Sequence, residues 1–257
     1  MAEPTPPAHP SHAELRAQAA ELRLHGLLAH WDELMGQAET EQRVRQWLSW
    51  ESTERIHRSL ERRLREAHLG RFKPIADFDW SWPKQCDRGA IEELMSLEFL
   101  ADASSVVLCG PNGVGKTMVA INIGHQAVLQ GHTALFTTAG QMLSELAALD
   151  SDSALRRRLQ HYAAPDLLLI DEVGYLSYSN RHADMLFELI SRRYLHKSTL
   201  VATICSRSPS CSRFIALRSK GMPARRARNS RASMKSRFSF FSTKVKTSPF
   251  SPHDQQV

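Results

Sequence analysis

Apolar positions recur along this chain with two different periods, and the change of period divides it. From Ser11 onward Leu15, Leu22, Leu27, Trp31, Leu34 and Met35 lie close to one helical stripe. Ser11, with Glu14 three residues on, forms the capping pattern that opens a helix. A second helix is predicted from about Glu39 to His68, with Val44, Trp47, Leu48, Ile56, Leu60, Leu64 and Ala67 as its apolar face. On its polar side Glu51–Arg55, Glu54–Arg58 and Glu61–Arg65 each set an acid four residues before a base, which supports an exposed helix face. Gly70 and Pro74 end the pattern. Residues 11–73 therefore read as a small helical module, preceded by Pro-rich residues 1–10 that are expected to be disordered.

After the connector PIADFDWSWPK the period alternates. A helix over about Asp87–Leu100 precedes the strand SSVVLC, and a glycine-rich turn leads into a helix from Lys116 to Gln130 that stops at Gly131. The strand TALFTT, the helix AGQMLSELAAL, the charged stretch SDSALRRRLQHYA and the strand DLLLIDE follow. A helix over about Arg181–His196 then precedes the strand STLVAT. Strands separated by helices of this length predict an α/β fold with a parallel sheet covered on both faces, spanning residues 74–203. After Thr203 neither period persists, and residues 204–257 are expected to be an irregular, disordered tail.

Charge sharpens that boundary. The tail holds 12 of the 33 Lys and Arg residues, 12 serines and a single acid, Asp254. Without it the chain is acidic, so the net charge of +6 is a property of the tail alone. No apolar run approaches the roughly 18 residues of a membrane helix, and the N-terminus lacks a basic start followed by an apolar stretch. A cytoplasmic protein with no membrane partner is expected. Cys86, Cys109, Cys205 and Cys211 lack the paired spacing of a zinc site and read as free thiols.

The chemistry concentrates in Gly110-Pro111-Asn112-Gly113-Val114-Gly115-Lys116-Thr117. The strand Val106-Val107-Leu108 leads in and the helix Met118-Val119-Ala120-Ile121 leads out, the setting of a phosphate-binding P-loop. Glycines let the backbone curl until several N–H groups face one centre, and the helix N-terminus adds its positive end. Lys116 is placed for the β- and γ-phosphates of ATP, and Thr117 for magnesium. The strand Leu167-Leu168-Leu169-Ile170 ends in Asp171-Glu172, where Asp171 suits the magnesium shell and Glu172 the orientation or deprotonation of an attacking water.

Other candidates have plainer readings beside the functional ones. Trp80 and Trp82 could cover an adenine or pack between the two modules. Arg156, Arg157 and Arg158 could meet DNA phosphate or form a solvated face. Arg58, Arg62, Arg63, Arg65, Arg71 and Lys73 make a basic end to the second helix, open to phosphate contact.

With both motifs placed, the chain resembles the IstB-type transposition helper ATPases, AAA+ P-loop proteins related to the DnaC helicase loaders. The likeness rests on LRLHGL, LGRFKPIADFDWSWPK, VVLCGPNGVGKT, GHTALFTTAG and APDLLLIDEVGYLSYSNRHADMLFELISRRY, and covers residues 11–203. It implies homo-oligomeric assembly on double-stranded DNA with ATP and Mg2+, and assistance to an IstA-type transposase in moving an insertion sequence. It also implies DNA and partner contacts for the helical module, ATP and magnesium roles for Lys116 and Thr117, and magnesium and hydrolysis roles for Asp171 and Glu172. The resemblance stops in mid-strand: a Thr-Asn-Arg-Pro-Phe-like segment should follow, yet the position of its polar sensor is Ile204. The fifth strand beside the P-loop strand and the arginine that completes a neighbour's site have no counterpart, so an unpaired sheet edge is expected. A shifted reading frame near codon 203 would give such a tail; an adapted basic tail that binds DNA is the rival. An inactive remnant with weak ATP binding and a helicase loader remain alternatives to the transposition helper.

Overall fold

The computed structural model describes residues 11–36, 38–81, 85–173, 180–204 and 213–219, the last by its backbone path. Residues 1–10, Trp82, Cys205, Cys211 and the stretch from Lys220 onward lie outside the described residues, so the readings made for them have no structural counterpart.

Ser11 opens α1 (His12–Glu21) with a complete capping box: its hydroxyl accepts from the Glu14 N–H, and the Glu14 carboxylate accepts from the Ser11 N–H at 2.6 Å. The stripe from Leu15 to Met35 does not form one helix. Arg23 takes a left-handed backbone (φ 55°), and the chain folds back through α2 (His25–Ala29) and α3 (Trp31–Leu34). This turn lets Leu15, Ala19, Leu22, Trp31 and Met35 bury one another against Val44 and Leu48 of α4 (Ala38–Glu66).

At 29 residues, α4 is about 43 Å long and serves two cores. Its first half closes the helical cluster, while Leu60 and Leu64 pack against the core of the following α/β domain, which Ala67, just past the helix end, joins. Trp47, Trp50 and Ile56 are exposed; in the span between the two cores Ser52 accepts from the Gln18 side-chain amide of α1 at 2.8 Å, and residues 53–58 face water. The predicted apolar face, which included Trp47 and Ile56, is therefore two separate faces joined by a solvated stretch. The ion pairs Glu51–Arg55 and Glu54–Arg58 form at 2.6 and 2.7 Å. Glu61 lies beside His57 instead, at 3.7 Å.

The α/β domain follows with β1 (Gln85–Cys86), α5 (Arg88–Met95), α6 (Glu98–Ala101), β2 (Ser105–Cys109), α7 (Lys116–Leu129), β3 (Ala134–Thr138) and α8 (Ala139–Ala147). Then come α9 (Asp152–Ala163), β4 (Leu167–Asp171), α10 (Asn180–Arg193), β5 (Ser198–Thr203) and β6 (Arg213–Ser219). The helix predicted over 87–100 divides because Leu97 is buried in a left-handed conformation, φ 64°. The charged stretch before β4 forms α9, whose narrow apolar face is Leu155, Leu159 and Tyr162.

The sheet order is β1-β6-β2-β5-β4-β3. The four strands β2, β5, β4 and β3 are parallel neighbours. All five residues of β4 are buried. Its alternate side chains go to opposite faces, Leu167 and Leu169 into the core under α7, Leu168 and Ile170 into the core under α8, α9 and α10. The two-sided cover predicted from the helix–strand alternation is present. The free edge expected beside β2 is not: β6 pairs with it, antiparallel, from Ser105 opposite Ser219 to Cys109 opposite Ile215. The tail reading missed this strand because Arg213–Ser219 shows no sustained alternation; its backbone bonds to β2 supply the pairing.

At the end of the sheet remote from the glycine-rich turn, Arg193 is almost fully buried, and its hydrogen bonds go to backbone carbonyls and a hydroxyl rather than to a carboxylate. Its guanidinium donates to the carbonyls of Tyr162, Ala163, Pro165, Asp166 and Ser198 and to the Thr199 hydroxyl. It thus ties together the end of α9, the entry to β4 and the start of β5. Burial pushes its pKa down to about 10, against a smaller opposing pull from Asp166. Methionine at this position would fill the volume and leave those carbonyls without a donor. Arg193→Met should therefore lose about 3 kcal/mol or more of stability, read as a lower urea midpoint with an unchanged slope; a loss below about 1 kcal/mol would contradict this role.

Candidate nucleotide-binding site

β2 ends at Cys109, and the chain turns through residues 110–115 before α7 begins at Lys116. The turn is anchored at its base, where the Gly110 N–H donates to the Thr203 carbonyl at the tip of β5, 3.4 Å away. Gly113 and Gly115 hold φ angles of 78° and 87°, a region that costs other L-residues about 1–2 kcal/mol. At Gly115 space is limiting as well: a β-carbon would come within 2.5 Å of Cε2 of Phe78, whose ring lies against the loop.

Lys116 is buried, and its ammonium donates to the carbonyls of Gly110 at 3.0 Å and Pro111 at 2.6 Å. Burial pushes its pKa down, and the nearby Asp171 opposes that effect. The Thr117 hydroxyl donates to Oδ2 of Asp171 at 2.5 Å, so the P-loop helix and the tip of β4 meet directly. The other Asp171 oxygen accepts from the Glu172 N–H at 2.8 Å. Glu172 itself is exposed and takes a left-handed backbone, φ 61°, a strained conformation of the kind that collects at functional sites.

The segment between α4 and β1 forms the other wall. Asn122, a polar residue on the buried side of α7, donates to the carbonyls of Lys73 and Met118, each at 2.8 Å. Its carbonyl oxygen accepts from the Ile75 N–H at 2.9 Å. The Phe72 ring stacks on His125 of the same helix, with centroids 4.3 Å apart. Phe78 packs on Trp80 at 4.7 Å, and the Arg88 guanidinium lies over the Trp80 ring at 4.9 Å. A cavity of about 440 Å³ opens between these walls, lined by Asn112, Gly113, Gly115, Lys116, Thr117, Asp171 and Glu172 together with Arg71, Lys73, Met118 and Ile121.

Most of the residues proposed from the sequence thus meet around one cavity. Gly110 and Pro111 contribute through the carbonyls that hold Lys116, and Val114 turns into the core. Trp80 is half-buried against that core. Arg158 pairs with Glu145, Arg156 donates to the Asp152 carbonyl, and Arg58 is engaged by Glu54. Arg71 and Lys73, grouped in the sequence with the basic end of the helix, stand instead at the cavity. Neither the clamp by Asn122 nor the contact of Phe78 with Gly115 was anticipated. The polar Asn122 amid the apolar run of α7 was the one available signal.

Residues 17–208 match the family described as IstB-like ATP binding protein. A Pseudomonas aeruginosa protein named for insertion sequence IS21 and ATP binding is 33% identical over 195 residues, 74% of this chain and 73% of that protein. A Geobacillus stearothermophilus protein named for insertion sequence IS5376 and ATP binding is 33% identical over 156 residues, 61% of this chain and 62% of that protein. Among solved structures, the DnaC helicase loader aligns over 56% of this chain and 80% of its own, at 20% identity and a TM-score of 0.42.

The two loop glycines differ in a way that can be measured. Gly113 has open space where a side chain would stand, while Gly115 faces Phe78. Gly113→Ala should cost about 1 kcal/mol for its backbone alone, and Gly115→Ala about 2–4 kcal/mol once the steric conflict is added. In a Phe78→Leu background the gap between them should narrow. Equal costs in urea unfolding of the two alanine variants would show that the Phe78 ring does not constrain the loop.

Proposed function

The chain belongs to the IstB-like ATP-binding protein family, and from that premise we propose that it is an AAA+ ATPase that assembles on double-stranded DNA and assists the transposase of an insertion sequence. The observation that carries the enzymatic part is the direct hydrogen bond between Thr117 and Asp171, with Glu172 next in the chain and on the same cavity. Phosphate-binding loop and strand-end acid are thereby in register without further movement.

The residues present fit both ATP and magnesium. Lys116 lines the cavity beside Gly113 and Gly115, and the carbonyls it now bonds are weaker partners than phosphate oxygens. Thr117 and Asp171 would hold magnesium, which neutralises charge on β- and γ-phosphate oxygens when bound. Glu172, exposed at the cavity, is our candidate for orienting the water that attacks the γ-phosphate. DNA and transposase as partners rest on the insertion-sequence names of the relatives, and a homo-oligomer on the resemblance. Among the described residues no helix is long and apolar enough to cross a membrane.

A second reading has its own support. The family match ends at residue 208, Ile204 follows β5 where a polar sensor is expected, and β6 pairs antiparallel with β2, unlike β5 on its other side. We infer from these that the chain after Thr203 derives from a shifted reading frame and that turnover is impaired while ATP binding persists.

ATPase assays with and without duplex DNA separate the two. The helper reading expects DNA-stimulated hydrolysis that falls by about two orders of magnitude or more in Glu172→Gln, with nucleotide binding retained in that variant and lost in Lys116→Ala. A slow rate, unchanged by DNA and equal in wild type and Glu172→Gln, would establish the remnant reading. Translation of the alternative frames of the gene across codons 195–257 would then reveal a continuation of the Thr-Asn-Arg-Pro-Phe type, or rule out the frameshift.

A further inference from the structure

The cavity wall carries an electrostatic requirement that the P-loop alone does not meet. Of the loop and strand residues lining it, one is a cation, Lys116, and two are carboxylates, Asp171 and Glu172. By side-chain charge alone that wall is net negative. Arg71 and Lys73 line the same cavity and reverse the sign. Both side chains are exposed, and among the described residues no ion pair to either is found. Lys116, by contrast, is already engaged by the carbonyls of Gly110 and Pro111.

Their placement follows from the backbone. The segment is not helical and passes alongside α7. Phe72 turns to His125 on α7, while Arg71 and Lys73 on either side of it both line the cavity. Asn122 holds the Lys73 carbonyl and the Ile75 N–H from below, which fixes the segment along α7. Two cations on an anchored backbone stand beside a loop built for phosphate.

We propose that Arg71 and Lys73 form a cationic arm that contacts the polyphosphate of the bound nucleotide, so that the connector leaving α4 is part of the nucleotide site. This rests on the nucleotide reading of the P-loop cavity. Because the arm begins five residues after the end of α4, it places the helical module one short segment away from the phosphates.

The test is equilibrium binding of fluorescent methylanthraniloyl-ATP, with magnesium, to the full chain. Wild type is compared with Arg71→Gln/Lys73→Gln, with the charge-retaining Arg71→Lys/Lys73→Arg, and with Lys116→Ala. The glutamine pair should bind about tenfold more weakly, with a shallower dependence on KCl because two phosphate contacts are gone. The charge-retaining pair should stay within about twofold of wild type, and all variants should keep the wild-type circular dichroism. If Lys116→Ala weakens binding while the glutamine pair matches wild type, the arm is refuted and the P-loop reading stands. If the glutamine pair keeps its nucleotide affinity but loses duplex DNA, the arm serves DNA and the inference again falls. If wild type and Lys116→Ala are indistinguishable, the nucleotide reading itself fails and takes the arm with it.

Discussion

One amide sets the relation between the two halves of this chain. Asn122 stands on α7, one turn beyond the P-loop, and its side chain satisfies three backbone groups, two of them in the connector. A buried amide that left any of these unmet would be costly, so the connector is held at one height along α7. Everything nearby inherits that height. Phe72 meets His125, Phe78 reaches Gly115, and the chain of residues 71–73 runs along the cavity. The phosphate loop is thus shaped from two directions, by its own glycines and by a segment more than 30 residues upstream.

The remote end of the sheet obeys a different economy of polar groups. Where strands begin, carbonyls emerge without ladder partners, and burying them demands donors. Arg193 supplies a planar fork of N–H groups that gathers carbonyls from α9, the entry to β4 and the start of β5. Asp166 and Lys197 close the same corner with an ion pair, and Thr133 adds two bonds to Asp166. Burial alone would raise the Asp166 carboxyl, but Lys197 and Thr133 outweigh it and hold it down to about 2. With that end fixed, the tips of β2, β4 and β5 are free to be specialised at the other, where Cys109, Asp171 and Thr203 lead into or support the site.

Much of this was legible in the amino-acid order, and the failures have physical causes. The P-loop, the acid pair at 171–172, and the parallel strands β2 to β5 announce themselves because each is local: a few residues of fixed type at fixed spacing. The break at Arg23 was hidden because Leu15, Leu22, Leu27 and Trp31 lie close to one helical stripe, although the helices fold back on one another. Trp47 and Ile56 looked like core because periodicity reports which residues share a face, not whether a partner covers it. α9 was overlooked since its three arginines mask a stripe only one residue wide. β6 depends on backbone pairing with a strand about 110 residues earlier, which leaves little mark on local pattern. Arg71 and Lys73 seemed to extend a basic helix end; only the turn after α4 brings them to the cavity.

The length of α4 has a consequence of its own. Its two ends are buried in different cores, so the exposed stretch over residues 53–58 is free in sequence but not in count. Each residue of an α-helix advances the azimuth by about 100°. A single insertion or deletion there would swing the α1–α3 cluster about a third of a turn around the helix axis, while leaving every side chain of both cores unchanged. Polar substitutions in this span should be common among natural variants, and single-residue gaps rare, because the helix acts as a phase-setting shaft between the cluster and the phosphate loop.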